Sequence, residues 1–143
     1  MQFQHAISFF SEDIVFELKS QDKIELWIQE TIVEEGSSVG EITYVFCSDN
    51  YLHAINLEHL QHDTFTDIIT FDYCVDDLIN SDIFISIDRV KENAVTFQTT
   101  FQKELYRVII HGILHLMGYD DKSDSDKEVM RGKEDFYLSL LSK

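Results

Sequence analysis

The stretch from His111 to Asp121, HGILHLMGYDD, decides how the rest of the chain is read. His111 and His115 stand one helical turn apart, so at ~100° per residue their imidazoles lie about 40° apart on one face. Leu105, Ile109, Gly112, Ile113, Leu114, Leu116 and Met117 fill most of the remaining circle. A helix apolar nearly all round is a buried one, which predicts that the histidines sit in a cleft and not on an open surface. Gly118 suits a left-handed cap at the helix C-terminus. The chain can then turn back and offer Asp120 or Asp121 to whatever the histidines hold. Two imidazole nitrogens and one carboxylate oxygen form a zinc-type donor set with a fourth position left to water. An isolated pair of histidines at this spacing would be weak grounds. The apolar surroundings, the glycine and the returning aspartates together point to a metal site on a buried helix.

Upstream, strand-like and helical patterns alternate. Residues 5–19 open with a short strand-like run. Residues 22–35 place Ile24, Trp27, Ile28, Thr31 and Ile32 at helical spacing, with Asp22 as a plausible N-cap and Gly36 as a stop. Gly36 to Gly40 reads as a corner and residues 41–47 as a buried strand. Ser48-Asp49-Asn50 offers a cap for a helix over 49–60. A strand follows around 67–73, then an acidic turn from Asp76 to Asn80, a strand over 82–86 and a short helix from Ile87. The histidine-bearing helix is predicted over 98–117. Ser123 or Ser125 caps a last helix to about residue 141, with Val129, Phe136, Leu138 and Leu140 among its apolar positions. Asp124, Asp126 and Glu128 resemble the start of a calcium loop, but the glycine such a loop requires does not follow. They are read as a solvated helix start. The interleaving predicts an α/β (α+β) fold, a single domain over residues 1–143 with a small mixed sheet.

The chain of 143 residues suits one core and is short for two. Its longest largely apolar run, around 108–119, falls short of the ~20 residues of a membrane span. The N-terminus has no cationic start and soon reaches Glu12 and Asp13, unlike a secretory signal. Cys47 and Cys74 are too few for a disulfide framework. A cytoplasmic protein without membrane partners is expected. The net charge of −16 argues against a general nucleic-acid coat, because phosphate affinity comes from Lys and Arg. It leaves room for a local cationic patch, or for delivery to a substrate by basic partner proteins.

The motif HGILHLMGYDD resembles HGxLHLxGYDH of the YbeY family, bacterial rRNA maturation factors described as metal-dependent endoribonucleases. INLEHLQHDTFTDIITFDY is similar to that family's LN…TDVLSF segment, and SDIFISIDRVKENA to its GDIxIS…A segment. Together these cover residues 55–121 in consistent order. The resemblance implies an α/β fold with a mixed sheet and one zinc ion, other divalent metals remaining open. It implies single-strand-specific cleavage in rRNA processing, notably 3′-end maturation of small-subunit 16S rRNA during ribosome biogenesis. The implied partners are the rRNA precursor, ribosomal particles and basic ribosomal proteins, with RNA and not DNA as substrate. Carried over by position, His111 and His115 match the first two metal ligands, and Asp121 stands where the family usually has a third histidine. The carboxylate lowers the site charge from +2 to +1, so water at the site should be less acidic and the activity optimum more alkaline than in a three-histidine relative. Two histidines and a carboxylate also match a non-haem iron pattern.

A second departure is Leu60, which takes the place of an arginine the family uses toward RNA phosphate. Arg107, one turn before His111 on nearly the same face, is the expected substitute, with Arg89, His59 and His62 as weaker candidates. Glu104 shares the face but lies seven residues upstream, about 10 Å along the axis, which suits a supporting role. Asp120 is another candidate proton carrier, or only shapes the turn. Two other readings compete. A zinc peptidase of metzincin type needs a glutamate after the first histidine as general base, and Gly112 occupies that place. A non-catalytic assembly factor would keep a structural metal and dock its acidic surface on ribosomal proteins.

Overall fold

The computed structural model describes residues 6–60 and 66–141, except for the side chain of Leu60. Among these, four strands form one mixed sheet in the order β1-β2-β4-β3. The strands are β1 (Ile7–Ser11), β2 (Ser38–Cys47), β3 (Ile68–Asp72) and β4 (Leu78–Ser86). The helices are α1 (Gln21–Glu34), α2 (Asp49–Leu60), α3 (Ile87–Thr96), α4 (Phe101–Leu116) and α5 (Asp124–Leu141). β1, β2 and β4 run parallel, and β3 returns antiparallel along β4. The expected α/β class with a mixed sheet is what forms.

Strand alternation sorts the two faces. Ile42, Tyr44 and Phe46 of β2, with Ile83 and Ile85 of β4, join the main core, where α4 lies buried through Leu105, Ile109, Ile110 and Ile113. The Tyr44 hydroxyl donates to the Ile109 carbonyl at 3.0 Å and so pins α4 to the sheet. Ile69, Phe71 and Phe84 point the other way, into a small cluster with Cys47, Leu52 and Ile55 that seats α2. Trp27 Nε1 of α1 donates to the Tyr137 carbonyl of α5 at 2.8 Å, tying the two outer helices together.

Several boundaries move for identifiable reasons. The expected corner from Gly36 to Gly40 is largely strand. Gly36 has φ +88° and closes α1, but β2 begins at Ser38 and passes through Gly40 with a bulge between Val39 and Ile42. Gly40 is required there because a Cβ would lie 2.2 Å from Asn80 Oδ1 and 2.6 Å from the Ile79 carbonyl. The turn expected over 76–80 is tighter, with Asp76 at φ +54° and β4 already under way at Leu78. Asp22 is not the N-cap of α1; Ser20, in the left-handed region, takes that place without a side-chain bond. α4 starts at Phe101, not 98, because the Thr100 side chain caps the Lys103 amide. Ser123 caps α5 by accepting from Asp126 N at 3.0 Å.

The buried face of α5 differs from the one expected. Met130, Glu134, Tyr137 and Leu141 are buried, while Val129, Phe136 and Leu140 are each more than 40% exposed. Leu138 packs partly buried against the core as expected, and the buried row 130, 134, 137, 141 includes a carboxylate that a count of apolar residues passes over. That carboxylate matters for the site.

Candidate metal centre and RNA cleft

α4 carries His111 into a cleft of about 360 Å3 between α4, α5, the start of β3 and the loop after α4. Its walls include Asp67, Glu104, Arg107, Asp121 and Glu134. Glu134 is the organising group. Its carboxylate takes His111 Nδ1 at 2.7 Å on one oxygen and Arg107 at 2.8 Å on the other, and is 7% exposed. Because a carboxylate only accepts, the proton of the neutral imidazole is held on Nδ1 and the Nε2 lone pair is left free. Nε2 faces Asp121 Oδ2 at 3.5 Å. Two donors each about 2.0–2.1 Å from a tetrahedral zinc stand roughly 3.4 Å apart, so this separation fits one edge of such a site. A carboxylate behind the distal nitrogen of a histidine is also the usual support for a metal-binding imidazole.

The second expected histidine ligand is placed differently. His115 is exposed, does not line the cleft, and has Nδ1 3.3 Å from the Tyr119 carbonyl. That contact again leaves Nε2 free. The expectation that both histidines sit inside the cleft therefore holds for His111 and fails for His115. One turn further along, α4 has run into its terminal turn, and the loop that follows leaves the imidazole open to solvent. Among the described residues, no three His, Cys, Asp or Glu side chains are gathered closely enough to hold an ion. The donor chemistry fits zinc, with His111 and Asp121 in place and His115 standing off.

The electrostatics follow from burial and partners. For His111, burial opposes the charged form. The Glu134 hydrogen bond and charge, with Asp121 and Asp67, outweigh it and raise the imidazole above its ordinary value. Burial raises the Asp67 carboxyl, partly offset by His111. Burial raises that of Glu104 too, reinforced by Asp67. Burial and nearby carboxylates push the Cys47 thiol up to about 12, so it is no nucleophile at neutral pH.

Arg107 lines the cleft, but its guanidinium is bound to Glu134 and, at 2.6 Å, to Asp135. Arg89 is engaged by Asp49 at 2.8 Å, and His59 packs edge-on against Phe71. His62 and the Leu60 side chain lie outside the described residues. Gly112 faces the sheet: a Cβ there would lie 2.9 Å from Ile68 Cδ1 and 3.4 Å from Thr70 Cγ2. A glutamate at this position would enter the sheet and not the cleft, which removes the geometry a metzincin base needs.

Two contributors escaped sequence reading. Glu134 lies 23 residues from His111 with no motif around it. Asp67 sits in the TDIITF segment, where the family resemblance could have flagged it.

Glu35 pins the Asp121 segment from behind. Tyr119 donates to Glu35 Oε1 at 2.6 Å, while Lys133, at 3.0 Å, and the Tyr137 hydroxyl meet Glu35 Oε2. The carboxylate at the C-terminus of α1 thus clamps the loop after α4 onto α5.

Comparison with known proteins agrees with this arrangement. The family model described as Endoribonuclease YbeY matches residues 7–142. A protein of Flavobacterium psychrophilum named Endoribonuclease YbeY is 51% identical over 132 residues, 92% of this chain and 94% of its own length. One of Flavobacterium johnsoniae with the same name is 52% identical over 132 residues, 92% of this chain and 95% of its own length. The solution structure of a Thermotoga maritima protein superposes with a TM-score of 0.65 at 28% identity, covering 94% of this chain and 88% of that one. With the fold, the cleft and these matches in agreement, the chain belongs to the Endoribonuclease YbeY family.

Proposed function

We propose that this protein is a metal-dependent endoribonuclease, specific for single strands, that trims ribosomal RNA precursors at the 3′ end of the small-subunit RNA. The observation that carries the reading is His111, held through Nδ1 by Glu134 with Nε2 turned to Asp121, in a chain that matches the family over residues 7–142. His111, His115 and Asp121 are the ligands. His115, exposed one turn further along α4, would have to swing toward the cleft to join the other two. When bound, zinc would supply Lewis acidity toward a phosphoryl oxygen and a more acidic attacking water.

The chain's own residues do the rest. Glu134 fixes the tautomer and direction of His111. Arg107 uses two guanidinium nitrogens on Glu134 and Asp135 and still has N–H donors for a phosphate oxygen in the cleft. Asp67 and Glu104, both raised by burial, sit where a proton can be taken up or released beside the substrate. The expected setting is the cytoplasm, on pre-ribosomal particles whose basic proteins complement an acidic surface. No described helix is long and apolar enough to cross a membrane.

The test is cleavage of a small-subunit precursor carrying its 3′ extension, free and within particles, beside a fully duplex control. Cleavage confined to single-stranded segments supports the reading. Retained particle binding with no cleavage of either substrate would move the assignment to an assembly factor.

A further inference from the structure

The chain holds 11 Lys and Arg against 27 Asp and Glu, so the position of each cation matters. A second cleft, about 810 Å3, runs from the first between α4, α5 and the N-terminal end of α1. The two share Phe97, Glu104, Arg107 and Arg131 as walls and are therefore continuous. The larger one is lined by Lys23, Lys103, Arg107 and Arg131 against only two carboxylates, Glu104 and Asp135. Lys127 adds a further cation to the wall of the smaller cleft. Together the two clefts carry five of the 11 cations beside five carboxylates, Asp67, Glu104, Asp121, Glu134 and Asp135, and the excess of cations is confined to the second cleft.

Arg107 is spoken for by carboxylates, but Lys103 and Arg131 are exposed and make no ion pair with any described residue. At the junction of the two clefts stands Phe97, 59% exposed, the C-cap residue of α3. Two cations without an ion pair beside a bare aromatic ring are what a single-stranded nucleic acid uses: phosphates on the charges and a base on the ring. A duplex has no unstacked base to offer that ring.

We propose that this second cleft is the path of single-stranded RNA leaving the metal centre, with Phe97 stacking a base and Lys103 and Arg131 binding phosphates. It rests on the nuclease reading for its substrate class. Lys103 lies eight residues before His111 on α4, about 12 Å along the helix, so the path engages nucleotides beyond the one being cut. It also supplies basic contacts that the Leu60 position lacks.

The experiment measures binding of a fluorescein-labelled single-stranded RNA of about 12 nucleotides to chelator-treated full-length protein, by anisotropy across a salt series. Cleavage by zinc-loaded protein is read separately. Lys103→Glu and Arg131→Glu should each lower the salt slope by about one and weaken binding about tenfold at tens of millimolar salt. Phe97→Ala should weaken binding about tenfold with little change of slope. Lys91→Glu, the same charge change on exposed α3 away from both clefts, should move neither. Thermal melts of every variant exclude unfolding as the cause.

If all three variants bind as Lys91→Glu does while wild type still cleaves, the path is wrong and the nuclease stands. If they lose binding but wild type cleaves no RNA, the path stands and the nuclease reading falls. An equal loss for a duplex of the same length on Phe97→Ala would refute the stacking role.

Discussion

Glu134→Gln tests the core of the site with the smallest change of shape. The carboxylate is buried and accepts from Arg107 at 2.8 Å and from His111 at 2.7 Å. A glutamine can present its one oxygen to Arg107, which leaves its amide nitrogen facing His111 Nδ1. Two donors then meet unless the imidazole moves its proton to Nε2, the atom facing Asp121. The first outcome loses the bond to His111 and the second replaces a bond to a charged carboxylate with a neutral one, so the cost is up to the about 1.5–3 kcal/mol of a hydrogen bond to a charged group. With ~2.1 cal/mol/K of unfolding entropy per residue, a loss of about 2–3 kcal/mol lowers Tm by roughly 7–10 °C in a chain of this size. The protonated Nε2 also loses its lone pair, so zinc affinity should fall about 10–100-fold. Scanning calorimetry of zinc-free protein gives the first figure, and competition with a chelating dye gives the second. A Tm within about 2 °C of wild type together with unchanged zinc affinity would refute Glu134 as the organising group.

Three further outcomes are expected. Burial alone would raise the Glu35 carboxyl, but hydrogen bonds from Tyr119, Tyr137 and Lys133 outweigh it and hold it below its ordinary value of 4.5. Its contribution is therefore complete above pH 4.5 and lost as pH falls through the lower folded value; Glu35→Gln should cost about 1–3 kcal/mol at neutral pH, with a gap that closes in acid, as urea melts across pH would show. Gly40→Ala places a Cβ against the Ile79 carbonyl as well as the Asn80 side chain, and backbone cannot yield cheaply. Overpacking of about 2–3 kcal/mol is expected, read as a lower denaturation midpoint, and an unchanged midpoint would show that the β2 bulge is slack. Asp121→His restores a +2 site and should move the pH optimum of cleavage to lower pH; an unchanged or higher optimum would count against the charge argument.

The sequence made the scaffold and half of the centre readable. Apolar residues wrap α4 so completely that its burial, and the cleft beside His111, followed from spacing alone, and the turn at Gly118 (φ +103°) returns Asp121 as expected. What stayed hidden was set by contacts between distant segments. Glu134 occupies a core position of α5 because Arg107 and His111 neutralise it there, and no count of apolar residues finds a buried carboxylate. Gly40 reads as a loop residue until the Asn80 side chain is seen against it. The exposure of His115 depends on where α4 outruns its cover, which helical spacing does not report. The proposed RNA path was equally invisible: Lys23, Lys103 and Arg131 lie on three different helices, Phe97 caps a fourth, and they share no motif.

The proposed nuclease requires a zinc ion held by His111, His115 and Asp121 in a protein that folds without it. The direct measurement strips the wild type with a chelator and follows circular dichroism and cleavage of the single-stranded precursor in the same sample. Zinc is then restored, with His115→Ala carried in parallel. A folded apo-protein without activity is expected, with recovery in the wild type at one zinc per chain and no recovery in His115→Ala. Unfolding on chelation, or cleavage that survives in zinc-free protein or in His115→Ala, would contradict it.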